Sequence, residues 1–420
     1  MLDIVYRVAD GGRMSKTTCL LTGATTRWLT VFTICAAMLV GMPVAPVFGQ
    51  ETANTTVTGS SDEDSENDDT KKKAKKSLPI IPIPIFVTEP AIGYGFGAAV
   101  GYFHKRKGDE RDDNEDVSPA YTTGTPPGSG GDKESKRPPT ITGVAAAYTD
   151  TNTWMVGVGH SASWREDTIR YQGALAYANI NSTFFFLDIP FDFNLKGGIL
   201  YQNIRFRLGE SDFFLGGKLS YLNADGEFTL GEGAPDGFLE RNSNDSGLAF
   251  QAVWDTRDNT MTPDEGQYFE AVVWRHDDAL GGEFDYWKGE LELLTFHGFA
   301  KRFVLGFRLD VDAVNGDSPL WAFPWISLRG IPALRYQNEI AGVVETELRW
   351  NIFERWAVLG FVGVGATRGD TLRYEDESGI VAGGVGGRWL FRPEDSLWVG
   401  VDIATGPEDT YAYIQVGHAW

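Results

Sequence analysis

Between Arg302 and Ala313 the chain alternates, with Phe303, Leu305, Phe307, Leu309 and Val311 in one phase and Arg308, Asp310 and Asp312 in the other. A period of two puts successive side chains on opposite faces of a strand, so this segment has one greasy face and one charged face. The same alternation runs through 168–177, where Ile169, Tyr171, Leu175 and Tyr177 oppose Arg170 and Gln172. It returns in 203–208 and again in 397–403, where Leu397, Val399, Val401 and Ile403 oppose Asp402. A soluble sandwich with one buried face shows the same period, so the surroundings of the strands must decide. Past residue 50 the longest apolar run, Trp356–Ala366, has 11 residues. That is short of the roughly 20 a spanning helix needs and suits a membrane strand. Trp154, Trp164, Trp274, Trp350 and Trp356 fall at strand ends, as interface girdles require.

Residues 1–49 read as an export signal. From Met14, a better start than Met1, Lys16 and Arg27 lead into the apolar stretch 28–44, and Val47-Phe48-Gly49 forms a small-residue cleavage site. Pro43 and Pro46 end the apolar region too early for an anchor. Both cysteines, Cys19 and Cys35, lie in the removed piece, which leaves no thiol chemistry in the mature chain. Residues 50–78 form a linker, acidic from Asp62 to Asp69 and basic from Lys71 to Lys76, with too little apolar surface to fold. The barrel domain is expected over 79–420. Its first residues, with Pro79, Pro82 and Pro84 among isoleucines, read as an extended lead-in, because proline gives a ladder no donor.

Strands are expected near 91–104, 140–149, 153–164, 168–178, 194–208, 211–222, 246–255, 266–275, 284–297, 301–313, 339–352, 355–367, 379–391, 395–404 and 410–420, fifteen in all. An antiparallel barrel with both ends on one side needs an even count, and 181–190, with Phe184-Phe185-Phe186, supplies the expected sixteenth. The fold class is then all-β, a transmembrane antiparallel barrel in the outer membrane of a Gram-negative cell. Its surroundings are outer-membrane lipid, and the cell's outer-membrane assembly machinery is the expected partner for its own insertion. With that count the segments 105–139, 223–245 and 314–338 share the outer side, and the turns 150–152 and 209–210 the periplasmic side. A net charge of −21 excludes nucleic acid, which needs a basic face.

Several segments then resemble one family. Asp255–Gly266, with Asp255, Arg257, Asp258, Pro263 and Gly266, resembles the periplasmic turn between the eighth and ninth barrel strands of the BamA/TamA family, the bacterial surface antigen group. Leu328-Arg329-Gly330-Ile331 resembles that family's sixth-loop motif, with Ile331 where an aromatic residue is expected. The segment 345–350, with Glu345, Glu347 and Arg349, resembles its Glu-x-Arg strand. Residues 361–365, beginning at Phe361, resemble its Phe-x-Asp-x-Gly strand, with Gly363 in place of the aspartate. The ending 413–420 resembles the family's terminal strand, in which Tyr413, Val416 and Trp420 form an insertion signal. The resemblance covers about 79–420. It implies insertion or translocation of proteins across the outer membrane, through a weak seam between first and last strands marked here by Gly93, Gly95, Gly97 and Gly417. It also implies a loop arginine, Arg329, held in the lumen beside Glu345, Glu347, Arg349 and Phe361, and no cofactor. POTRA modules, which receive clients in that family, do not fit between Gln50 and the first strand. The resemblance is therefore to a barrel-only branch, whose client, if there is one, another protein must deliver.

The segment 314–338 is long for a loop and carries Trp321, Phe323, Trp325, Ile326 and Leu328 with few charges. It either folds into the lumen or forms an adhesive outer patch, and Arg329 with Gly330 favours the lumen. Catalysis finds little support. His104, His160, His276, His297 and His418 show no metal-ligand spacing, and Ser161 points away from the face of His160. The pairs Glu290/Glu292 and Glu345/Glu347 each share a face, as paired glycosidase carboxylates do, but adjacent inward carboxylates are more often partners for lumen arginines such as Arg308 and Arg349. No catalytic, metal or cofactor residue is assigned. A passive pore or structural envelope barrel, and less readily an envelope enzyme, remain as alternatives.

Overall fold

The computed structural model describes residues 80–89, 91–104, 138, 140–186, 189–229, 239–260, 262–370, 376–392, 397–417 and 420. The expected export signal and linker lie outside the described residues. The alternating segments pair with their chain neighbours into one antiparallel sheet of sixteen strands. These are β1 (Ile80–Glu89), β2 (Gly93–Phe103), β3 (Ile141–Thr149), β4 (Trp154–Trp164), β5 (Ile169–Phe186), β6 (Ile189–Arg207), β7 (Phe213–Thr229) and β8 (Leu239–Asp255). They continue as β9 (Gly266–His276), β10 (Asp285–Phe299), β11 (Phe303–Asp317), β12 (Ile340–Phe353), β13 (Trp356–Arg368), β14 (Ile380–Arg392), β15 (Leu397–Thr405) and β16 (Thr410–Val416). The order runs from β1 to β16 without a crossover, and the sheet coils into a nearly closed barrel in which β1 comes round to β16. Alternation sorts the faces: along β12, Val344, Leu348 and Trp350 are exposed outward while Glu345, Glu347 and Arg349 are buried inside.

The sixteenth strand is not 181–190. Those residues lengthen β5 and β6 into one hairpin, with Phe186 opposite Ile189, so the aromatic run continues a ladder already begun. The strand missing from the count is the proline-bearing lead-in, which pairs with β2 from Ile80↔Tyr102 to Glu89↔Gly93. The ladder explains how the prolines fit. Asp150 N donates to Tyr94 O at 2.9 Å and His104 N to Thr140 O at 3.0 Å. Even-numbered residues of β2 therefore turn their backbone groups to β3, and odd-numbered ones to β1. The partners of the odd set, Ile81, Ile83, Ile85 and Val87, make the bonds to β2. Pro82 and Pro84 face the free edge, where a missing N–H interrupts no ladder.

Two expectations change as a result. Gly93, Gly95 and Gly97 belong to β2, which is paired on both sides, so they do not mark the seam. The seam lies between β1 and β16, which no ladder joins among the described residues. Nine strands, β3 to β11, separate the connection 104–140 from the connection 318–339. An odd number places them at opposite rims, so the ends of β2 and β3 at Phe103 and Ile141 lie at the rim where β1 begins and β16 ends, together with the turns 208–212 and 256–265. Residues 150–152 fall at the other rim, with the loop 318–339.

Candidate functional site in the barrel lumen

The loop between β11 and β12 turns inward. Trp321 and Ile326 are fully buried, and Phe323, Leu328, Ile331 and Leu334 nearly so. A small hairpin braces it, with Trp325 bridged to Gln337 and Ile326 N donating to Tyr336 O at 2.9 Å. Its apolar side chains meet the inner wall, Phe323 and Leu334 among Ala178, Leu195, Leu222 and Tyr286, and Ile326 and Leu328 beside Val343 and Ala382. Burying this much apolar surface is the main gain from turning inward. A polar anchor accompanies it. Asp245 Oδ2 accepts from the Trp321 indole at 2.9 Å and the Tyr286 hydroxyl at 2.8 Å, while Asp245 Oδ1 meets His276 Nδ1 at 2.6 Å.

Arg329 lies at the centre of the motif. Its Nη2 donates to Glu345 Oε1 at 2.6 Å and Glu347 Oε2 at 2.8 Å, its Nε to Glu345 Oε1 at 3.0 Å, and its Nη1 to Asp402 Oδ2 at 2.8 Å. The guanidinium lies 3.5 Å from the centroid of the Phe361 ring, a cation–π placement. A planar fork with five donors suits this ring of acceptors, and a buried guanidinium requires them. Gly330 adopts φ +98°, and a Cβ there would lie 2.9 Å from the backbone carbon of Thr405. Its N–H donates to the Tyr413 hydroxyl at 3.0 Å.

Two of the arginine's carboxylates, Glu345 and Glu347, were legible in the sequence. Asp402 was not. It stands on β15, also holds Arg388 Nη2 at 2.9 Å, and supplies the third carboxylate that Gly363 cannot. Gly363 has another use: a Cβ there would lie 2.6 Å from Leu328 Cδ2, so the loop's leucine occupies the space an aspartate would need. Arg308, another inward arginine, donates to Ser327 O at 3.1 Å and Ser327 Oγ at 2.8 Å, adding a second strap.

Two expected placements are corrected. Arg349 does not join the loop: it bonds the Asp264 carboxylate and donates to Pro263 O at 3.4 Å, holding the 256–265 turn against the wall. In that turn Asp258 Oδ1 accepts from Asp264 N at 3.0 Å, and Gly266 takes φ +105°. Asp255 binds Arg170 at 2.8 Å and Arg257 at 2.9 Å. Burial lifts the Asp264 carboxyl to about 6, against the pull of the Arg349 guanidinium. Trp420 does not lie on the face of Ala412 and Ile414, where a strand continued to the end would place it. The strand stops at Val416, Gly417 takes φ +79°, and the Trp420 indole lies in the lumen, donating to Glu345 Oε2 at 2.9 Å and packing near Phe296.

No protein-family model and no curated protein matches the sequence. Solved barrels do match in fold. CdiB from Escherichia coli gives a TM-score of 0.55 at 10% identity, over 82% of this chain and 63% of that one. BamA from Haemophilus ducreyi, in a structure lacking POTRA domains 1–3, gives 0.52 at 9% identity, over 81% of this chain and 71% of that one. CdiB from Acinetobacter baumannii gives 0.51 at 10% identity, over 81% and 60%. This chain spans less than two thirds of either CdiB.

Proposed function

We propose that this chain is an outer-membrane barrel of the BamA/TamA kind that inserts or translocates proteins at the β1/β16 seam, with the Arg329 loop as an internal brace. The likeness in fold to BamA and CdiB supports an outer-membrane location, with both ends of the barrel chain at the periplasmic rim. The observation that carries the reading is the seam itself. β1 offers an edge without donors at Pro82 and Pro84, and no ladder closes it to β16 among the described residues. An unpaired edge accepts an added strand, which is what handling another strand-rich chain in a membrane requires. A lumen occupied by a pinned loop speaks against a freely open pore. No catalysis is proposed.

The test is crosslinking in intact cells from photoreactive residues placed at 86 and 88 on β1. Recovery of nascent barrel proteins or of a secreted passenger supports the reading. Recovery of none, with the barrel folded in the membrane fraction, turns it toward a structural envelope barrel.

A further inference from the structure

We infer that the outward face of β2–β6, near the periplasmic rim, binds the phosphate of a phospholipid headgroup through His104 and His160. The inference rests on the membrane location and topology proposed above, not on which cargo the barrel handles. One transverse row crosses five strands at this height, by register Tyr102↔Thr142, Thr142↔His160, His160↔Gly173 and Gly173↔Gln202. These positions alternate in phase with exposed Val144, Val156, Val158, Leu175, Tyr177 and Leu200, so they face lipid. A lipid-facing row is ordinarily apolar, and this one is not.

The polar groups are joined. Thr142 Oγ1 lies 2.8 Å from His104 Nε2 and 2.8 Å from His160 Nδ1. Farther along, the Tyr171 hydroxyl bonds Gln202 Oε1 over Gly173. A Cβ at 173 would lie 2.3 Å from that hydroxyl oxygen, so the bond exists because the position is glycine, and the surface is notched beside His160. Tyr102 packs edge-on to His104 at 4.8 Å and Trp164 stacks on Tyr171 at 5.6 Å. Such aromatic rings mark headgroup level.

One hydroxyl between two imidazoles constrains the protons. Thr142 has a single hydrogen to give, so when it donates to one ring the other ring must donate to it. In the neutral pair the two outer nitrogens, His104 Nδ1 and His160 Nε2, are then unlike, one bare and one N–H. Neither outer nitrogen has a hydrogen-bond partner among the described residues. The ring centres lie 5.8 Å apart, and the outer nitrogen that carries the hydrogen is a donor for a phosphodiester oxygen. Among the described residues the titratable neighbours are Tyr102 on β2 and Tyr171 on β5, while the outward residues of β3 and β4 beside the pair, Val144, Val158 and Ala162, carry no charge.

Native mass spectrometry of the full chain in detergent, titrated with phosphatidylglycerol, tests this, with diacylglycerol as the probe lacking phosphate. The wild type is expected to hold phosphatidylglycerol about tenfold more tightly than the His104→Gln/His160→Gln variant, the scale of a charge-assisted hydrogen bond. His297, an exposed histidine on β10 without such a bridge, provides the control, and His297→Gln is expected to bind as wild type does. Heat-modifiable gel mobility separates a failed barrel from a folded barrel that lacks the site. Equal retention by wild type and the double variant, equal retention of diacylglycerol, or displacement of the lipid by an equal concentration of inorganic phosphate would overturn the proposal.

Discussion

Trp420 donates its indole N–H to Glu345 Oε2 across 2.9 Å, so the last residue of the chain shares a carboxylate with the arginine of the inner loop. The end of the strand beside the seam and the brace inside the lumen are thereby one hydrogen-bonded unit. Trp420→Phe keeps the ring and removes the donor. It is expected to lower resistance to urea by about 1 kcal/mol, read as the midpoint of heat-modifiable gel mobility. Deleting Trp420 also empties the space beside Gly306 and Phe296 and is expected to cost more, about 2–4 kcal/mol. Equal midpoints for Trp420→Phe and wild type would remove the bond from the account.

Arg329→Ala is expected to release the loop, because it leaves Glu345, Glu347 and Asp402 facing one another inside the barrel without their shared cation, at a cost of about 3–5 kcal/mol. A barrel of this strand number is wide enough to conduct once unblocked. Planar-bilayer conductance and protease cleavage within 318–339 should both rise. Asp402→Asn should give part of the effect, and the double variant should be no worse than Arg329→Ala, since the two share one interaction. Additive effects would show that the aspartate and arginine act separately.

Gly363→Asp restores the residue that the family resemblance leads one to expect, and it is expected to destabilise by about 1–3 kcal/mol through overpacking against Leu328. Leu328→Ala in the same chain makes room and should recover part of the loss. Urea midpoints of the two single variants and the double variant decide it, and a stabilising Gly363→Asp would contradict the packing described.

Cysteines paired between 85–88 and 411–415 should crosslink in more than one register under mild oxidation, because no ladder among the described residues fixes β1 against β16. The described residues contain no cysteine to interfere. A single reactive register would reveal a fixed ladder. If the seam works by opening, a locked pair should stop function and reductant should restore it.

Asp264 binds its proton more tightly in the fold than in the unfolded chain, its carboxyl being lifted to about 6. The stabilisation this gives is complete below the ordinary carboxyl range and is lost as pH rises through about 6. Protease cleavage within 256–265 should therefore quicken between about pH 5 and about pH 7 in the wild type. It should stay level in Asp264→Asn, and a wild type without that rise would refute the assignment.

Alternation in the sequence located most strands and the facing of Glu345, Glu347 and Arg349, because a period of two is a local property. The inward facing of Asp402 was equally visible, but its nearness to Arg329 depends on where a loop folds across the lumen, which no local pattern encodes. Pro82 and Pro84 were rightly read as positions without a donor. Which edge those positions face follows only from the ladder between β2 and β3, and so the strand was missed. Phe184-Phe185-Phe186 misled in the opposite direction, since strand propensity does not distinguish a new strand from the extension of an old one. Trp420 misled because Gly417 breaks the period three residues before the end.

The prolines of β1 also bear on how this protein survives before it reaches the membrane. A bare strand edge is a template on which any extended chain can stack, and one kept open in the finished fold is a standing aggregation hazard. Of the five β1 residues on that edge, 80, 82, 84, 86 and 88, Pro82 and Pro84 offer a carbonyl but no donor, while Phe86 and Thr88 keep both. A strand can dock in full register only at the end nearer Glu89, and a stray copy of the same chain finds too few bonds at the other end to propagate a stack.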